Sequence, residues 1–318
     1  MNIKYNKIYN FGKTLNNIVI KEFNKSWKVK HLGKLTGKRG VIGDLTKTGD
    51  TLVEQVIIKN LPILLKTYHI PGAILVTEET GVHYFSAINK PNTVIMIVDP
   101  VDGSNNLRPF NTVTARVAFS LGLTTNQELL NKSTLEAINV SFVSDLLNNK
   151  IFSAIKGNGA FLNNKKINTS ILTDIHKAII GTGLDHQGQE YDKIYNKVKK
   201  IIRETHCLRR IGSTILDLMS VATGENDAYI SISGGIKLND IGAAPLIIKE
   251  ANGLFKYSLV YNHKYTDKNY LNFLLHTKGD KAKLIYGKMR FKIIAANNLS
   301  LYNNLIKLLP KKEQKLFK

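Results

Sequence analysis

The sequence predicts an α/β protein in which helices cover mixed β-sheets in a layered sandwich. Two observations carry this prediction. Apolar runs of strand length alternate with segments of helical periodicity, and several of these runs follow one another with no helix between them. Strands joined by short turns pair antiparallel, so the sheets should be mixed rather than purely parallel. A layered α/β sandwich is therefore favoured over a plain Rossmann domain.

In the first half of the chain, two helices precede the first strands. Ile3–Phe23 and Thr51–Thr67 carry apolar residues at helical spacing, on either side of the glycine-punctuated stretch Gly33–Asp50. The apolar runs Ala73–Thr77 and Val94–Val98 are predicted to be buried strands, and each is followed by acidic residues. Three more strands are predicted before the turn-rich segment Gly157–Asn164, the last two joined by a turn at Leu147–Asn149: Ala115–Leu123, Ala137–Val143 and Lys150–Lys156.

The second half repeats the alternation of strands and helices. Ser213 is expected to cap a helix that ends at Gly224, and Gly253 to end another. We divide the chain into an N-terminal half, 1–170, and a C-terminal half, 171–318, and expect one compact catalytic unit. The strands predicted in the second half are Ala178–Thr182, Cys207–Ile211, Ala228–Ile232, Leu254–Tyr257 and Lys292–Ala296, and the helices are Glu190–Glu204, Ser213–Ala222, Asp240–Ala251 and Leu299–Leu309.

Composition is ordinary for a folded protein of 318 residues, since 43% of the residues are hydrophobic. The apolar runs stop well short of the roughly 20 residues that span a bilayer, so no membrane helix is expected. The N-terminus lacks the apolar stretch of a signal peptide, which predicts a cytoplasmic protein. The single cysteine, Cys207, excludes an intrachain disulfide and a thiolate metal cluster.

The net charge of +21 attracts anionic partners such as nucleic acid, membrane surfaces or phosphorylated metabolites. The lysines are nevertheless spread along the chain among asparagines, and only Lys311–Lys318 forms a dense basic run. The sequence contains no RNP, helix-turn-helix or zinc-finger pattern. Solvated surface lysines are therefore favoured over a nucleic-acid interface.

The densest chemical signal is the segment Asp99–Ser104, which reads D-P-V-D-G-S directly after an apolar strand. Two carboxylates three residues apart can address one hard cation, and the carbonyl of Val101 can supply a third oxygen. The N–H groups of Gly103, Ser104 and Asn105 would open a tight turn or helix and could hold a phosphate. Taken alone, this motif is also compatible with an acidic surface turn.

Other acidic residues strengthen the metal interpretation. Glu78 and Glu79 follow the preceding strand, and Asp240 precedes an apolar helix, where a plain N-cap is an alternative role. Glu78, Asp99, Asp102 and Asp240 together would form an all-oxygen site for two or three Mg²⁺ ions, with Mn²⁺ as a substitute. Two such metals can clamp the attacking and leaving oxygens of a phosphoryl transfer.

These motifs resemble those of the inositol monophosphatase and fructose-1,6-bisphosphatase superfamily. Val76–Glu79 is similar to its metal-binding glutamate motif, and Asp99–Ser104 to its D-P-[IL]-D-G-[ST] signature. Asp240–Gly253 resembles the second signature, D-x-A-A…E-A-G-G, with Gly242 and Asn252 as departures. Gly157–Asn164 is similar to a G-x-G-A-x-x-N-G turn. The resemblance covers most of the chain and implies the αβαβα sandwich of sugar phosphatases.

Finer features resemble the archaeal-type branch, whose members often act on both inositol phosphates and fructose 1,6-bisphosphate. These are the spacing of Gly40–Asp50, the R-x-x-G-S type turn Arg209–Ser213, and Asp227–Tyr229, which begins thirteen residues before Asp240. Bisphosphonucleotide phosphatases usually show D-G-T-K-E-F after the metal loop. Here the loop continues Asn105–Leu107, which argues against that substrate.

The resemblance also implies roles for single residues. The expected metal ligands are Glu78, Asp99, the Val101 carbonyl, Asp102 and Asp240, with Glu79 either supporting them or solvated. Ser104 and Asp50 match the pair that positions the attacking water, although Asp50 can also be a helix cap. Ser233 stands at a position that commonly contacts substrate. Arg209 is either a phosphate contact or a surface residue at a strand end.

The sequence therefore predicts a Mg²⁺-dependent phosphomonoesterase acting on a small sugar or cyclitol phosphate, fructose 1,6-bisphosphate or inositol 1-phosphate, through metal-activated water. The resemblance implies a homodimer with a phosphorylated metabolite as its partner. Two alternatives remain open. One is a 3′(2′),5′-bisphosphate nucleotidase, and the other is a catalytically inactive relative that binds nucleic acid.

Overall fold

Two β-sheets and three layers of helices alternate in the structure, a computed structural model that describes residues 5–27, 31–41, 43–108, 116–184, 188–260 and 269–317. Outer helices cover the first sheet, further helices separate the two sheets, and a last pair covers the second sheet. This order is the αβαβα sandwich expected from the sequence. The predicted helix start at Ile3 and strand start at Ala115 lie outside the described residues.

The first half of the chain forms an eight-stranded sheet with the order β10-β9-β8-β7-β6-β5-β3-β4, in which only β3 and β5 run parallel. A two-stranded hairpin, β1-β2, lies apart from it. The elements in chain order are α1 (Asn6–Trp27), β1 (Leu35–Arg39), β2 (Leu45–Lys47), α2 (Thr48–Thr67), β3 (Gly72–Thr77), β4 (Gly81–Ser86), β5 (Val94–Asp102), β6 (Ala118–Thr125), α3 (Asn126–Asn131), β7 (Val140–Asp145), β8 (Lys150–Ile155), β9 (Ala160–Leu162) and β10 (Lys165–Ile167).

The second half forms a five-stranded sheet with the order β12-β11-β13-β15-β14. The first two pairings are parallel and the last two antiparallel, so this sheet is mixed as well. Its elements are β11 (Ile179–Thr182), α4 (Gly188–Glu204), β12 (Cys207–Arg209), α5 (Thr214–Ala222), β13 (Ala228–Ile236), α6 (Ala244–Glu250), β14 (Leu254–Leu259), α7 (Phe273–His276), α8 (Gly279–Lys288), β15 (Phe291–Ala296), α9 (Leu299–Leu308) and α10 (Lys311–Gln314).

Strand β5 shows why the first sheet is buried on both faces. Side chains alternate along a strand, so Ile95 and Ile97 face α5 and α6 in the middle layer, while Met96 and Val98 face α1 and α2. All four are fully buried, which accounts for a continuous apolar run instead of an alternating one. On the far side of the second sheet, α4 and α9 cover Ile180, Ile230 and Ile294 among others.

Several predicted elements differ from the observed ones. The strand predicted at Ala137–Val143 begins only at Val140, because Leu135–Ala137 forms a 3-10 turn. The turn-rich segment Gly157–Asn164 contains the short strand β9, which pairs with β8. The helix predicted at Asp240–Ala251 is split into a 3-10 turn, Asn239–Ile241, and α6.

The split of that helix follows from close packing. A Cβ atom at Gly242 would lie 2.5 Å from the side chain of Ile97, and one at Gly122 on β6 would lie 2.2 Å from the Gly242 carbonyl. Only glycines let the chain approach the sheet this closely. The turn that carries Asp240 is thereby held against β5 and β6.

Across the described residues, no helix combines the length and apolar character needed to cross a membrane.

Candidate active site

A cavity of about 990 Å³ opens where β3 and β5 end, beside the hairpin β1-β2 and the turn that carries Asp240. Its walls include carboxylates from distant parts of the chain, namely Glu78, Asp99, Asp102 and Asp240. Val101, whose backbone carbonyl is a predicted metal ligand, also lines the cavity, as do Gly103, Ser104 and Asn105. The cavity therefore brings the predicted metal ligands and the predicted phosphate-binding loop together.

An irregularity in β5 turns Asp99 and Asp102 toward the same cavity. The strand was expected to end at Val98, but it continues to Asp102. Two residues three apart in a regular strand would point to opposite faces of the sheet. Between them the register shifts, because Asp99 pairs with Ser120 while Asp102 pairs with Ala118. This bulge adds one residue and brings both carboxylates to one side.

Glu78, Asp99 and Asp240 form the tightest acidic group, since each offers an oxygen within 4.8 Å of the others. Glu78 follows β3, whose Thr77 pairs in parallel with Val98 directly before Asp99. Asp99 is 1% exposed, and its Oδ1 is buried without a hydrogen-bond donor. An ionised oxygen in this condition needs a positive partner.

The carboxyl groups of Asp99, Asp102 and Asp240 have raised pKa values because they are buried and close to one another. Burial, together with Glu78, Asp102 and Asp240, raises the pKa of Asp99 well above its usual range. The pKa of Asp240 rises to about 7 and that of Asp102 to about 6, in both cases chiefly through burial. Crowded oxygen ligands with an unpartnered buried oxygen fit a hard divalent cation such as Mg²⁺.

Asp102 also supports the start of α5. Its Oδ2 accepts hydrogen bonds from the Ser213 hydroxyl at 2.6 Å and from the Ile215 N–H at 2.8 Å. Ser213 in turn caps the helix by accepting from the Leu216 N–H, as predicted from the sequence. Asp102 thus connects the segment Asp99–Ser104 of the first sheet to a helix of the middle layer.

Gly103 makes the turn after Asp102 possible. Its φ of 75° lies in the left-handed region, and a Cβ atom there would lie 2.8 Å from the Arg116 carbonyl. The following residues, Ser104–Asn106, form a single 3-10 turn. Lys47 reaches this turn from β2, with its Nζ 2.6 Å from Asn105 Oδ1 and 3.3 Å from Ser104 Oγ.

Asp50 lies in the first turn of α2, where its side chain contacts the start of the helix and also lies at the cavity. Its Oδ2 accepts from the Lys47 N–H at 2.7 Å. Burial first, and then the charges of Glu79 and Glu78, raise the pKa of Asp50 to about 8. The N-cap itself is Lys47, because α2 begins at Thr48 and not at Thr51, so the N-cap alternative for Asp50 is wrong and its side chain instead supports the cap from the third helical position. The catalytic role stays a prediction.

Glu79 connects the hairpin β1-β2 to the acidic group, since it directly follows Glu78. It accepts a hydrogen bond from the Thr46 hydroxyl, and its backbone carbonyl accepts from the Val41 N–H. Burial raises the pKa of Glu79 to about 7. Glu79 is therefore engaged with the hairpin rather than solvated.

Lys237 is a site residue that the sequence patterns do not reveal. Its ammonium contacts Glu78 Oε1 at 2.8 Å and Asp44, although its side chain is only 16% exposed. Burial would lower the pKa of Lys237, but Glu78 and Asp240 outweigh it and raise the pKa above its usual value. The sequence offers only one hint of this role, namely that Lys237 stands three residues before the predicted metal ligand Asp240.

Arg209 and Ser233 are not brought to the cavity. Arg209 lies at the end of β12 and donates to the Glu225 carbonyl at 3.0 Å, which matches the alternative of a surface residue at a strand end. Ser233 lies in β13, where its hydroxyl accepts from the Gly235 N–H at 3.1 Å. Among the described residues that line the cavity, the guanidinium groups come from Arg39 and Arg108 instead.

The Gly157–Asn164 motif has a structural role. Glu250 at the end of α6 accepts hydrogen bonds from the N–H groups of Gly157 and Gly159, each at 2.7 Å. This carboxylate ties the turn between β8 and β9 to the middle layer of helices. The motif therefore stabilises the sandwich at a distance from the acidic group.

Comparison with known proteins shows which family the chain is similar to. The model of the inositol monophosphatase family matches residues 5–305. A fructose-1,6-bisphosphatase/inositol-1-monophosphatase of Methanothermobacter thermautotrophicus is 28% identical over 275 residues, which cover 86% of each chain. The Nus factor SuhB of Escherichia coli is 31% identical over 212 residues, covering 66% of this chain and 71% of that protein. The solved inositol monophosphatase-II of Staphylococcus aureus superposes with a TM-score of 0.66 at 18% identity, covering 96% of each chain.

Proposed function

Because the chain belongs to the inositol monophosphatase family, we propose that it is a Mg²⁺-dependent phosphomonoesterase that hydrolyses a small sugar or cyclitol phosphate. Fructose 1,6-bisphosphate and inositol 1-phosphate are the proposed substrates, as in the name of the Methanothermobacter relative. Two or three Mg²⁺ ions are proposed, with Mn²⁺ able to replace them.

The observation that carries the proposal is the grouping of Glu78, Asp99 and Asp240 within 4.8 Å of one another in a cavity that also contains Ser104. Their oxygens, with Asp102 and the Val101 carbonyl, would hold the metal ions. The chemistry that Mg²⁺ supplies in such sites is neutralisation of phosphoryl charge and a lowered pKa of water.

The remaining steps belong to residues of the chain. Lys47, Arg39 and Arg108 line the cavity and offer cationic donors to a phosphate group. The Ser104 hydroxyl would orient the attacking water, and Asp50, when ionised, would accept its proton. Asp50 is 5% exposed, so water in bulk solvent would not compete freely for that position. Direct in-line attack needs no covalent phosphoenzyme.

A phosphate-release screen tests the proposal. Inositol 1-phosphate, fructose 1,6-bisphosphate and 3′-phosphoadenosine 5′-phosphate would be offered with Mg²⁺, with Mn²⁺, and after dialysis against EDTA. We expect turnover of at least one of the first two, lost on EDTA treatment and restored by Mg²⁺. Turnover that survives removal of divalent cations would refute the metal mechanism, and preference for the nucleotide would favour the nucleotidase alternative.

A second candidate function is suggested by relatives named Nus factor SuhB and by the net charge of +21. A chain acting through nucleic acid without catalysis would bind RNA in a salt-sensitive manner and release no phosphate. The presence of every predicted acidic ligand in the cavity favours the enzyme. RNA gel shifts at low and high salt, alongside the phosphate assay, separate the two functions.

We also propose that the halves 1–170 and 171–318 act as one catalytic unit, that the protein forms a homodimer, and that it works in the cytoplasm. The two sheets divide between these halves, and the cavity takes residues from both. Light scattering should give about twice the chain mass of 35.6 kDa, and cell fractionation tests the location. A mass equal to one chain would contradict the dimer.

A further inference from the structure

Asn239 lies in the middle of the acidic group, although no sequence motif assigns it a role. Its Nδ2 is 3.0 Å from Glu78 Oε2, 3.2 Å from Asp99 Oδ2 and 3.2 Å from Asp240 Oδ1. One amide group thus contacts all three carboxylates that share the candidate metal position. Its two hydrogens are divided among three acceptors.

The orientation of this amide is set by Tyr286 of α8. The Tyr286 hydroxyl lies 3.1 Å from Asn239 Oδ1 and donates to it. Ionised carboxylates only accept hydrogen bonds, so the NH₂ group must face them and the carbonyl must face the phenol. Asn239 is 0% and Tyr286 1% exposed, so water is not available to replace either contact.

The amide reaches the carboxylates from behind. Glu78, Asp99 and Asp240 line the cavity, whereas neither Asn239 nor Tyr286 is among the described residues that do. The hydrogen bonds to Asn239 use one oxygen of each carboxylate. The second oxygen of Asp99, Oδ1, stays without a hydrogen-bond donor.

We propose that Asn239 and Tyr286 are positioning residues of the metal site, in which the phenol orients the amide and the amide holds three carboxylates in the geometry that binds a divalent cation. This inference rests on the proposed metal-dependent function. Neither residue would touch the metal or the substrate. Their effect would appear as metal affinity, because partners behind the ligands typically change it by about 10–100-fold.

Mn²⁺ binding by the purified, metal-free protein is the direct test, measured by titration calorimetry or by the electron paramagnetic resonance of free Mn²⁺. Tyr286→Phe removes only the hydroxyl, and Asn239→Leu removes the amide with little change in volume. We expect each variant to bind Mn²⁺ about tenfold more weakly than the wild type. The double variant should lose little more than Asn239→Leu, because the phenol acts through the amide.

Tyr302→Phe is the matched control. It also removes a buried phenol hydroxyl, one that donates to the Phe317 carbonyl at 2.6 Å in the outer helix layer. We expect Tyr302→Phe to lower the melting temperature in EDTA and to leave Mn²⁺ affinity unchanged. If Tyr286→Phe behaves in the same way, the pair is merely structural and the inference is wrong.

Hydrolysis is measured separately, so that the two proposals can fail separately. Wild-type protein that binds Mn²⁺ with the predicted dependence on Tyr286 but releases no phosphate would contradict the proposed function and support the inference. An active, metal-dependent wild type with equal Mn²⁺ affinity in all variants would do the reverse. If Asn239→Leu does not fold, Tyr286→Phe and its control still decide the question.

Discussion

The double role of Asp50 leads to a prediction that separates catalysis from structure. Asp50 Oδ2 accepts from the Lys47 N–H at 2.7 Å and supports the cap of α2, while the residue lines the cavity. Asparagine keeps a carbonyl oxygen that can accept the same hydrogen bond, so Asp50→Asn should preserve the cap. It removes the carboxyl group and with it the ionised form that can accept a proton.

The expected magnitudes of the two roles differ clearly. Positioned proton transfer contributes about 10²–10⁴-fold to a rate, or roughly 3–5 kcal/mol of activation free energy. Loss of an N-cap costs only about 1 kcal/mol of stability. Asp50→Asn should therefore lower kcat by about 10²-fold or more, with little change in KM or in melting temperature.

Ser104→Ala tests the other member of the pair. The Ser104 hydroxyl lies 3.3 Å from Lys47 Nζ, and that lysine keeps its 2.6 Å contact with Asn105 when the hydroxyl is removed. The fold should survive, and kcat should fall within the same range. If Ser104 and Asp50 act on one water molecule, the double variant should lose far less than the product of the single losses.

The assay is kcat, KM and melting temperature for both single variants and the double, at saturating Mg²⁺. Asn298→Ala is a suitable control, because Asn298 caps α9 by accepting from the Leu301 N–H at 2.9 Å, far along the chain from the cavity. It should lower stability and leave kcat unchanged. Strictly multiplicative rate losses, or a loss of stability without a loss of rate in Asp50→Asn, would refute the shared-water assignment.

Three further predictions concern single charges. Asp102→Asn keeps an acceptor for the Ile215 N–H but removes a charge from the proposed metal site. Turnover should therefore vanish while the circular dichroism spectrum is retained. A near wild-type rate would show that the ligands are misassigned. Lys237→Met removes an ammonium that competes with the metal for Glu78. Charges about 4 Å apart interact by several kcal/mol even at an effective dielectric constant near 20, so the variant should raise the apparent Mg²⁺ affinity by about tenfold. Weaker Mg²⁺ binding by the variant would contradict this. Glu313→Gln breaks a buried ion pair with Lys292 at 2.7 Å and should lower unfolding free energy by about 2 kcal/mol at pH 7. Burial alone would raise the pKa of Glu313, but hydrogen bonds from Lys292 and Lys197 lower it below its usual value. The wild type should therefore be more stable than the variant above about pH 4.3, and this difference should disappear as the pH falls through the lowered pKa. A difference in stability that persists after Glu313 is protonated would contradict the ion-pair account.

The elements with a strong local signal could be predicted from the sequence. The fully buried runs of β3 and β5 and the periodic segment of α2 need no knowledge of their partners. Ser213 was recognisable as a cap because a serine directly before an apolar helical pattern is typical of the N-cap position. The bulge in β5 was not recognisable, because it depends on the register with β6 and not on the residues of β5 alone.

The grouping of the acidic residues could be predicted, but their neighbours could not. Glu78, Asp99 and Asp240 each have a plain structural alternative, but their shared residue type and their order along the chain together point to a metal. Asn239 and Tyr286 are common residues, 47 positions apart, and their hydrogen bond exists only because α8 packs against the turn before α6. No local pattern encodes that approach.

The cationic side chains at the cavity would help it to accept the proposed dianionic substrate despite its acidic walls. A phosphomonoester would be repelled by Asp99 and Asp240 alone, and a divalent cation is needed to reverse that sign. Lys47, Arg39 and Arg108 line the same cavity, so an approaching phosphate meets positive charge at its walls as well. Arg209 was considered for this task from the sequence, but it is engaged by the Glu225 carbonyl on another edge of the molecule. Under the proposed function, Lys47, Arg39 and Arg108 would attract the phosphate, while Lys237, the other cationic residue given for the cavity wall, is paired with Glu78. Specificity changes should therefore be sought in the hairpin β1-β2 and at Arg108 before β12.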